Sequence, residues 1–172
     1  MNAKNHAGFA RETEQAERVP KPLATLVAEH PFLTGMIPEH LAVLTDCAMR
    51  AHFNVGEVIF REGDPANRFY LIRSGRLALE SCVRDRPSVR IQTIGAGDVL
   101  GWSWLFPPYY WHFDARALEP TEAIFFYGTR LRELAEVNHS LGYELMKRMA
   151  GVVIQRLQAT RRQLLAAREV RT

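Results

Sequence analysis

From Ala51 to Glu122 the chain runs in short apolar bursts set apart by glycine. Val58-Ile-Phe60, Phe69-Tyr-Leu-Ile72, Leu77-Ala-Leu79 and Val89-Arg-Ile91 have the length and composition of strands. Between them, Val55-Gly56-Glu57, Glu62-Gly63-Asp64-Pro65, Ser74-Gly75-Arg76 and Gly95-Ala-Gly97 carry turn residues. Phe113-Asp-Ala-Arg-Ala117 alternates with period two, and Ala123-Ile-Phe-Phe-Tyr127 supplies a last strand. Many short strands with regular turns and no intervening helix predict a mainly β fold, an antiparallel sandwich or jelly-roll barrel with flanking helices.

The flanks have a helical period. Leu23 to Ala28 can form a short helix that His30-Pro31 stops. Pro38 opens a second, with Leu41, Leu44, Cys47 and Ala48 on one face. After the strands, Thr129 is positioned to cap a helix carrying Leu131, Leu134 and Val137. Asn138-His-Ser140 interrupts it, and a long helix then runs to about Arg171, spanning on the order of 45 Å at ~1.5 Å per residue. Along that helix Met146, Met149, Val153, Leu157, Thr160, Leu164 and Ala167 follow steps of three and four, the spacing of a seam. A stripe this narrow can bury itself against its own domain only in part, which points to a homodimer through a parallel copy of the helix. The expected organisation is a flexible leader over 1–22, a β domain over 23–138 and a dimerisation helix over 139–172.

Composition narrows the class. At 172 residues and 47% hydrophobic the chain can bury a core as one domain with appended helix. A net charge of +3 is too small to indicate a nucleic-acid surface without a clustered patch. Cys47 and Cys82 are far apart and in no metal-ligand spacing, as expected of free thiols in a reducing cytoplasm. No apolar run reaches transmembrane length and no signal region opens the chain, so a cytoplasmic protein without a membrane partner is expected. His30, His40 and His52 share no ligand spacing and are expected to be surface or capping residues.

The stretch from Gly95 to Ala117 carries the candidate chemistry. Three glycines fall in its first seven residues, and all three tryptophans of the chain, Trp102, Trp104 and Trp111, follow within ten positions of one another. Pro107-Pro108 removes two backbone donors and ends any short helix begun near Ser103. A glycine turn, one turn of helix, an aromatic loop and a returning strand predict a pocket wall.

Val55-Gly-Glu-Val-Ile-Phe-Arg-Glu-Gly-Asp-Pro-Ala-Asn-Arg-Phe-Tyr-Leu-Ile-Arg-Ser-Gly-Arg-Leu77 resembles the signature of the cyclic nucleotide-binding domain, the β-roll of the catabolite activator and of kinase regulatory subunits. The resemblance extends from about Leu26 onward and implies that the segment from Gly101 is the phosphate-binding cassette. In the family a glutamate following the glycine holds the ribose, and an arginine with a hydroxyl residue after it pairs with the cyclic phosphate. Here Trp102 stands at the glutamate position, Trp111 at the arginine position and His112 at the hydroxyl position. The resemblance therefore implies candidate ligand contacts at Gly101, Trp102, Ser103, Trp104, Leu105, Trp111, His112 and Phe113, with Thr160 of the long helix where the family meets the base. A charge-assisted hydrogen bond contributes about 1.5–3 kcal/mol, so loss of the arginine alone is expected to weaken phosphate binding by one to two decades at about 1.4 kcal/mol per decade. Cyclic AMP and cyclic GMP are not expected to bind in the usual way. Backbone donors at the start of the cassette helix and His112 remain as possible anion contacts, which keeps open the alternative of a cyclic-nucleotide-binding signalling protein with a divergent site.

Three classes of function follow. One is a non-enzymatic sensor whose aromatic cassette takes a small-molecule effector, not necessarily a nucleotide, and repositions the long helix. Another is a dimeric scaffold whose indoles plug the cavity. A third, transcription factor, would need the helix-turn-helix domain that the family's bacterial members carry after the long helix. This chain ends at Thr172, so DNA binding by that mode is not expected. A cupin-type metal site is excluded on the strands, which carry no His-x-His pair with a following Glu. Nucleophile elbow, metal constellation and spaced carboxylate pair are likewise missing, so neither catalytic residues nor a resident cofactor is expected.

Overall fold

The computed structural model describes residues 20–81 and 88–169. Residues 1–19 of the expected leader over 1–22, Cys82 and positions 170–172 lie outside the described residues. Two short helices, α1 (Leu23–Ala28) and α2 (Pro38–Asp46), precede eight strands and two further helices. The strands are β1 (Met49–Phe53), β2 (Val58–Phe60), β3 (Arg68–Ser74), β4 (Arg76–Ser81), β5 (Val89–Gly95), β6 (Val99–Leu100), β7 (Asp114–Ala117) and β8 (Thr121–Tyr127). α3 (Gly128–Val137) and α4 (His139–Glu169) follow. The strands form two antiparallel four-stranded sheets, ordered β1-β8-β3-β6 and β2-β7-β4-β5, packed as a jelly roll.

The central strands of the first sheet are buried on both faces, which is why β3 and β8 read as unbroken apolar runs rather than alternating ones. Phe69, Leu71, Ile124 and Phe126 point toward the helices and share a core with Leu131, Leu141, Leu145 and Met149. Tyr70, Ile72, Ala123 and Phe125 point into the roll, where they meet Phe60, Leu77, Leu79, Leu100 and Trp111 of the facing elements. β6 is only two residues long, yet it touches both cores: Val99 lies on the helix side and Leu100 in the roll.

Two strands lie outside the sequence expectations. β1 (Met-Arg-Ala-His-Phe) is an edge strand paired only with β8 and half exposed, so it lacks an alternating signal. β6 is hidden among glycines. The corners are tight: at Gly75, φ is +86° and a Cβ would lie 2.4 Å from Thr121 Oγ1 and 2.5 Å from the Pro120 carbonyl oxygen, so only glycine fits. Thr129 does not cap α3. Tyr127 is the N-cap, and the Thr129 hydroxyl instead accepts from Arg132 Nη2 at 3.3 Å. The missed cap is Asn138, whose Oδ1 accepts from the Leu141 N–H at 3.0 Å and starts α4. His30 is a capping residue but buried. Its Nδ1 accepts from the Phe32 N–H at 3.3 Å, its Nε2 lies 3.1 Å from the Ile72 carbonyl, and burial lowers its pKa.

α4 has 31 residues, about 46 Å at ~1.5 Å per residue. Its first turns pack on the roll through Leu141, Leu145 and Met149. Met149, expected on the partner-facing seam, is 1% exposed and belongs to the domain's own core. The three-and-four spacing drifts around a straight helix, and Met149 falls on the side the roll already covers. Met146, Val153, Leu157 and Leu164 are 40–65% exposed on the adjoining face, about 40–80° around the helix from Met149.

Candidate functional site

The segment Gly101–Phe113 joins β6 to β7, and its indoles divide: Trp111 enters the roll, Trp104 enters the helix-side core, and Trp102 packs half-buried at the edge of that second core. Gly101 has φ +89°, and a Cβ there would sit 2.7 Å from Cζ3 and Cη2 of Trp111. The glycine therefore allows the Trp111 ring to lie directly against the backbone. On its other side the ring stacks on Phe60, with centroids 3.7 Å apart and planes 8° from parallel. Trp111 is 4% exposed inside the roll, and Phe113 packs beside Phe60 at 6.0 Å. The turn at Gly63-Asp64 clamps this tryptophan. Its N–H donates to the Asp64 carbonyl and its carbonyl accepts from the Gly63 N–H, both at 2.9 Å, while the Ala66 N–H donates to the Tyr109 carbonyl at 2.7 Å.

Trp104 goes the opposite way. It is 1% exposed, packs on Phe69 at 5.6 Å in the helix-side core, and sits over Gly128, where a Cβ would come within 2.8 Å. Arg132 donates to the Trp104 carbonyl and lies over the Tyr109 ring, 4.3 Å from its centroid. Leu105 packs against the same core. Trp104 and Leu105 are therefore anchors of the loop rather than parts of a pocket shared with Trp111. Trp102 stays half-buried, stacked on His112 at 5.0 Å and 17°. His112 Nδ1 shares a 3.0 Å hydrogen bond with the buried Ser103 hydroxyl.

The expected turn of helix near Ser103 is replaced by two tight turns, with the Leu105 N–H on the Trp102 carbonyl and the Tyr109 N–H on the Phe106 carbonyl, both at 3.1 Å. Pro107 and Pro108 cannot donate, and successive side chains are drawn toward different cores, so no helical ladder forms. With it goes the bundle of helix N-terminal donors that an anion would use.

Charge is sparse here. No lysine or arginine occurs between Gly101 and Phe113. Arg116 on β7 is engaged elsewhere, paired with Glu80 at 3.3 Å and donating to the Gly56 carbonyl at 3.1 Å. Arg68, which the sequence did not single out, brings its carbonyl beside Gly101, but its guanidinium lies over Phe125 at 4.8 Å and Tyr127 at 5.7 Å. Burial raises the pKa of the adjoining Tyr70 hydroxyl, with Arg68 pulling the other way. Thr160 is half-buried on α4 and makes no hydrogen bond to the cassette among the described residues. The fold thus brings together Gly101, Trp111 and Phe113 in the roll, and Trp102, His112 and the buried Ser103 at the edge of the helix-side core that Trp104 and Leu105 join. It leaves Thr160 apart from both.

Two antiparallel sheets with a cassette between β6 and β7 and a long closing helix define a regulatory β-roll. The chain belongs to the cyclic nucleotide-binding domain family, whose model matches residues 50–138. A solved protein of Geobacter metallireducens described as a cyclic nucleotide-binding protein is 30% identical, with a TM-score of 0.68 over 80% of this chain and 98% of that one. A CRP-like cAMP-activated global transcriptional regulator of Mycobacterium tuberculosis is 28% identical over 83 residues, 48% of this chain and 37% of the regulator. The acetyltransferase Pat of Mycolicibacterium smegmatis is 36% identical over 70 residues, 41% of this chain and 21% of the enzyme. The chain thus spans well under half the length of either curated relative. Among the described residues no helix is long and apolar enough to cross a membrane.

Proposed function

We propose that this chain is a non-enzymatic, cytoplasmic regulatory module in which the cassette no longer accepts cyclic AMP or cyclic GMP in the usual way. The observation that carries this is Trp111. At the position where the resemblance places the phosphate-binding arginine, an indole is locked between Gly101 and Phe60 inside the roll. An apolar ring there cannot offset the desolvation of a phosphate, which needs paired, hydrogen-bonding charge. Trp102, at the glutamate position, offers a face to His112 instead of a carboxylate to a ribose. The half-buried Trp102–His112 stack is where a small non-nucleotide effector would meet the cassette. A filled roll that serves only as a dimeric scaffold is favoured by the burial of Trp111 against Phe60 and Phe113. In either case the outward face of α4 around Leu157 supplies the dimer contact, because an apolar stripe left in water on a helix of this length is covered by association.

Isothermal titration calorimetry with cyclic AMP and cyclic GMP tests the cassette directly. No saturable heat below about 1 mM is expected, and micromolar binding of either nucleotide, at about 8 kcal/mol, would overturn the proposal. Leu157→Glu, read by light scattering, is expected to convert a dimer to a monomer.

A further inference from the structure

On the other side of β6 from Trp111, α4 bridges a cleft of about 560 Å³ above the turn Gly97-Asp98 and the segment Pro31-Phe32. Its lining differs in kind from the cassette. Ile94, Val99, Phe32 and Val152 give it an apolar floor, and Arg148, Arg156 and Arg162 line the α4 side. At about 100° per residue these three arginines fall within roughly 120° of arc, on the side of the helix away from Met146, Val153, Leu157 and Leu164.

The arginines outnumber their counter-charges. Arg148 donates to the Phe32 and Thr34 carbonyls at 2.8 and 2.9 Å and has Glu144 within ion-pair distance at 3.5 Å. Arg156 donates to the Val99 carbonyl, and neither it nor Arg162 has a carboxylate within ion-pair distance among the described residues. The one acid in the lining, Asp98, accepts from the Gly95 N–H at 2.8 Å through Oδ2 and offsets the charge of Arg156 only in part, leaving three arginines to one carboxylate in the lining. Burial lowers the pKa of Arg156, the mark of a cation taken from water without a full counter-charge. Gly151 is an independent sign. Glycine is the poorest helix former after proline, yet a Cβ at this mid-helix position would meet nothing within 4 Å. Packing within the chain does not require it. It keeps the wall of the cleft low.

We propose that this cleft is a binding site for a small organic dianion, a phosphate ester or polycarboxylate, held by Arg156 and Arg162 with its apolar part on Ile94 and Val99. Planar guanidiniums match such oxyanions in a bidentate way, and the volume suits a ligand of metabolite size. A ligand seated there joins α4 to the β5–β6 turn, so occupancy fixes the helix against the roll. The site does not rest on the cassette reading and stands whether or not Trp102 meets a ligand.

The test is calorimetry on the full chain at constant ionic strength with phenyl phosphate, inorganic pyrophosphate and citrate. Saturable binding of at least one is expected, weakened about tenfold or more by Arg156→Gln, by Arg162→Gln and by Gly151→Phe, and unchanged by Trp102→Ala. Gly151→Phe fills the cleft from the exposed helix surface, so it still decides the matter if Arg156→Gln fails to fold. The proposal fails if none of the three probes binds saturably at up to about 10 mM. It also fails if binding survives Gly151→Phe undiminished, or if Trp102→Ala abolishes it and so places the anion at the cassette.

Discussion

Val99 and Leu100, the two residues of β6, face two very different recesses. Leu100 looks into the roll, where Trp111, Phe60 and Phe113 close the space by stacking. Val99 looks into the α4 cleft, where guanidiniums line the wall and the space stays open. The roll is filled because apolar rings gain by contact with one another, through burial and about 0.5–1.5 kcal/mol of ring–ring interaction beyond it. The cleft is not filled by its own side chains, because charged groups gain nothing by collapsing on each other. One strand of alternating faces thus divides a region stabilised by its own contents from one whose charge balance calls for something from outside.

The strongest way to break the contrast is Trp111→Ala. Removing a buried indole is expected to cost about 3–5 kcal/mol in urea unfolding, and a loss below about 1 kcal/mol would mean the ring does not hold the roll. Gly101→Ala should rank next. It combines a positive φ, itself worth about 1–3 kcal/mol of strain, with a Cβ 2.7 Å from the Trp111 ring. In a Trp111→Ala background only the backbone strain and the 3.2 Å approach to the Arg68 carbonyl oxygen should remain, so the double variant should lose less than the sum of the two single losses. Acid sharpens the comparison from the cleft side, where His30 precedes the Pro31-Phe32 rim. Its folded pKa is lowered from 6.5 by burial, so below that value the unfolded chain binds the extra proton. Stability is therefore full above about pH 6.5 and falls as the pH drops toward 5. Thermal unfolding between pH 7.5 and 5 should show this slope, and His30→Asn should flatten it. Trp102→Ala is expected to be the smallest, about 1 kcal/mol, because the ring is only half-buried, stacked on His112 at the edge of the helix-side core.

Most of the β-roll was legible in the sequence. Val58-Ile-Phe60 matches β2 residue for residue, and the glycines at 56, 63 and 75 fall at the turns predicted between strands. Elements that draw their order from neighbours were not. β1 owes its conformation to pairing with β8 and has too little apolar alternation to announce itself. Between Gly101 and Phe113, the crowding of three tryptophans and the lack of lysine and arginine were visible in the residues. The split that sends Trp111 into the roll and Trp102 and Trp104 to the helix-side core was not, because residues a few positions apart in an irregular loop carry no periodicity to say which way each points.

The amino-acid order alone determined that the chain folds as a roll of short strands with a long closing helix, and that all three of its tryptophans fall between Gly101 and Phe113. Those are properties of local pattern and residue type. Only the tertiary structure decided that Trp104 serves the helix-side core and that Met149 turns inward. It alone showed that Arg148, Arg156 and Arg162 gather over Val99. Each depends on which surface another element has already covered, and that is fixed by packing between segments far apart in the chain.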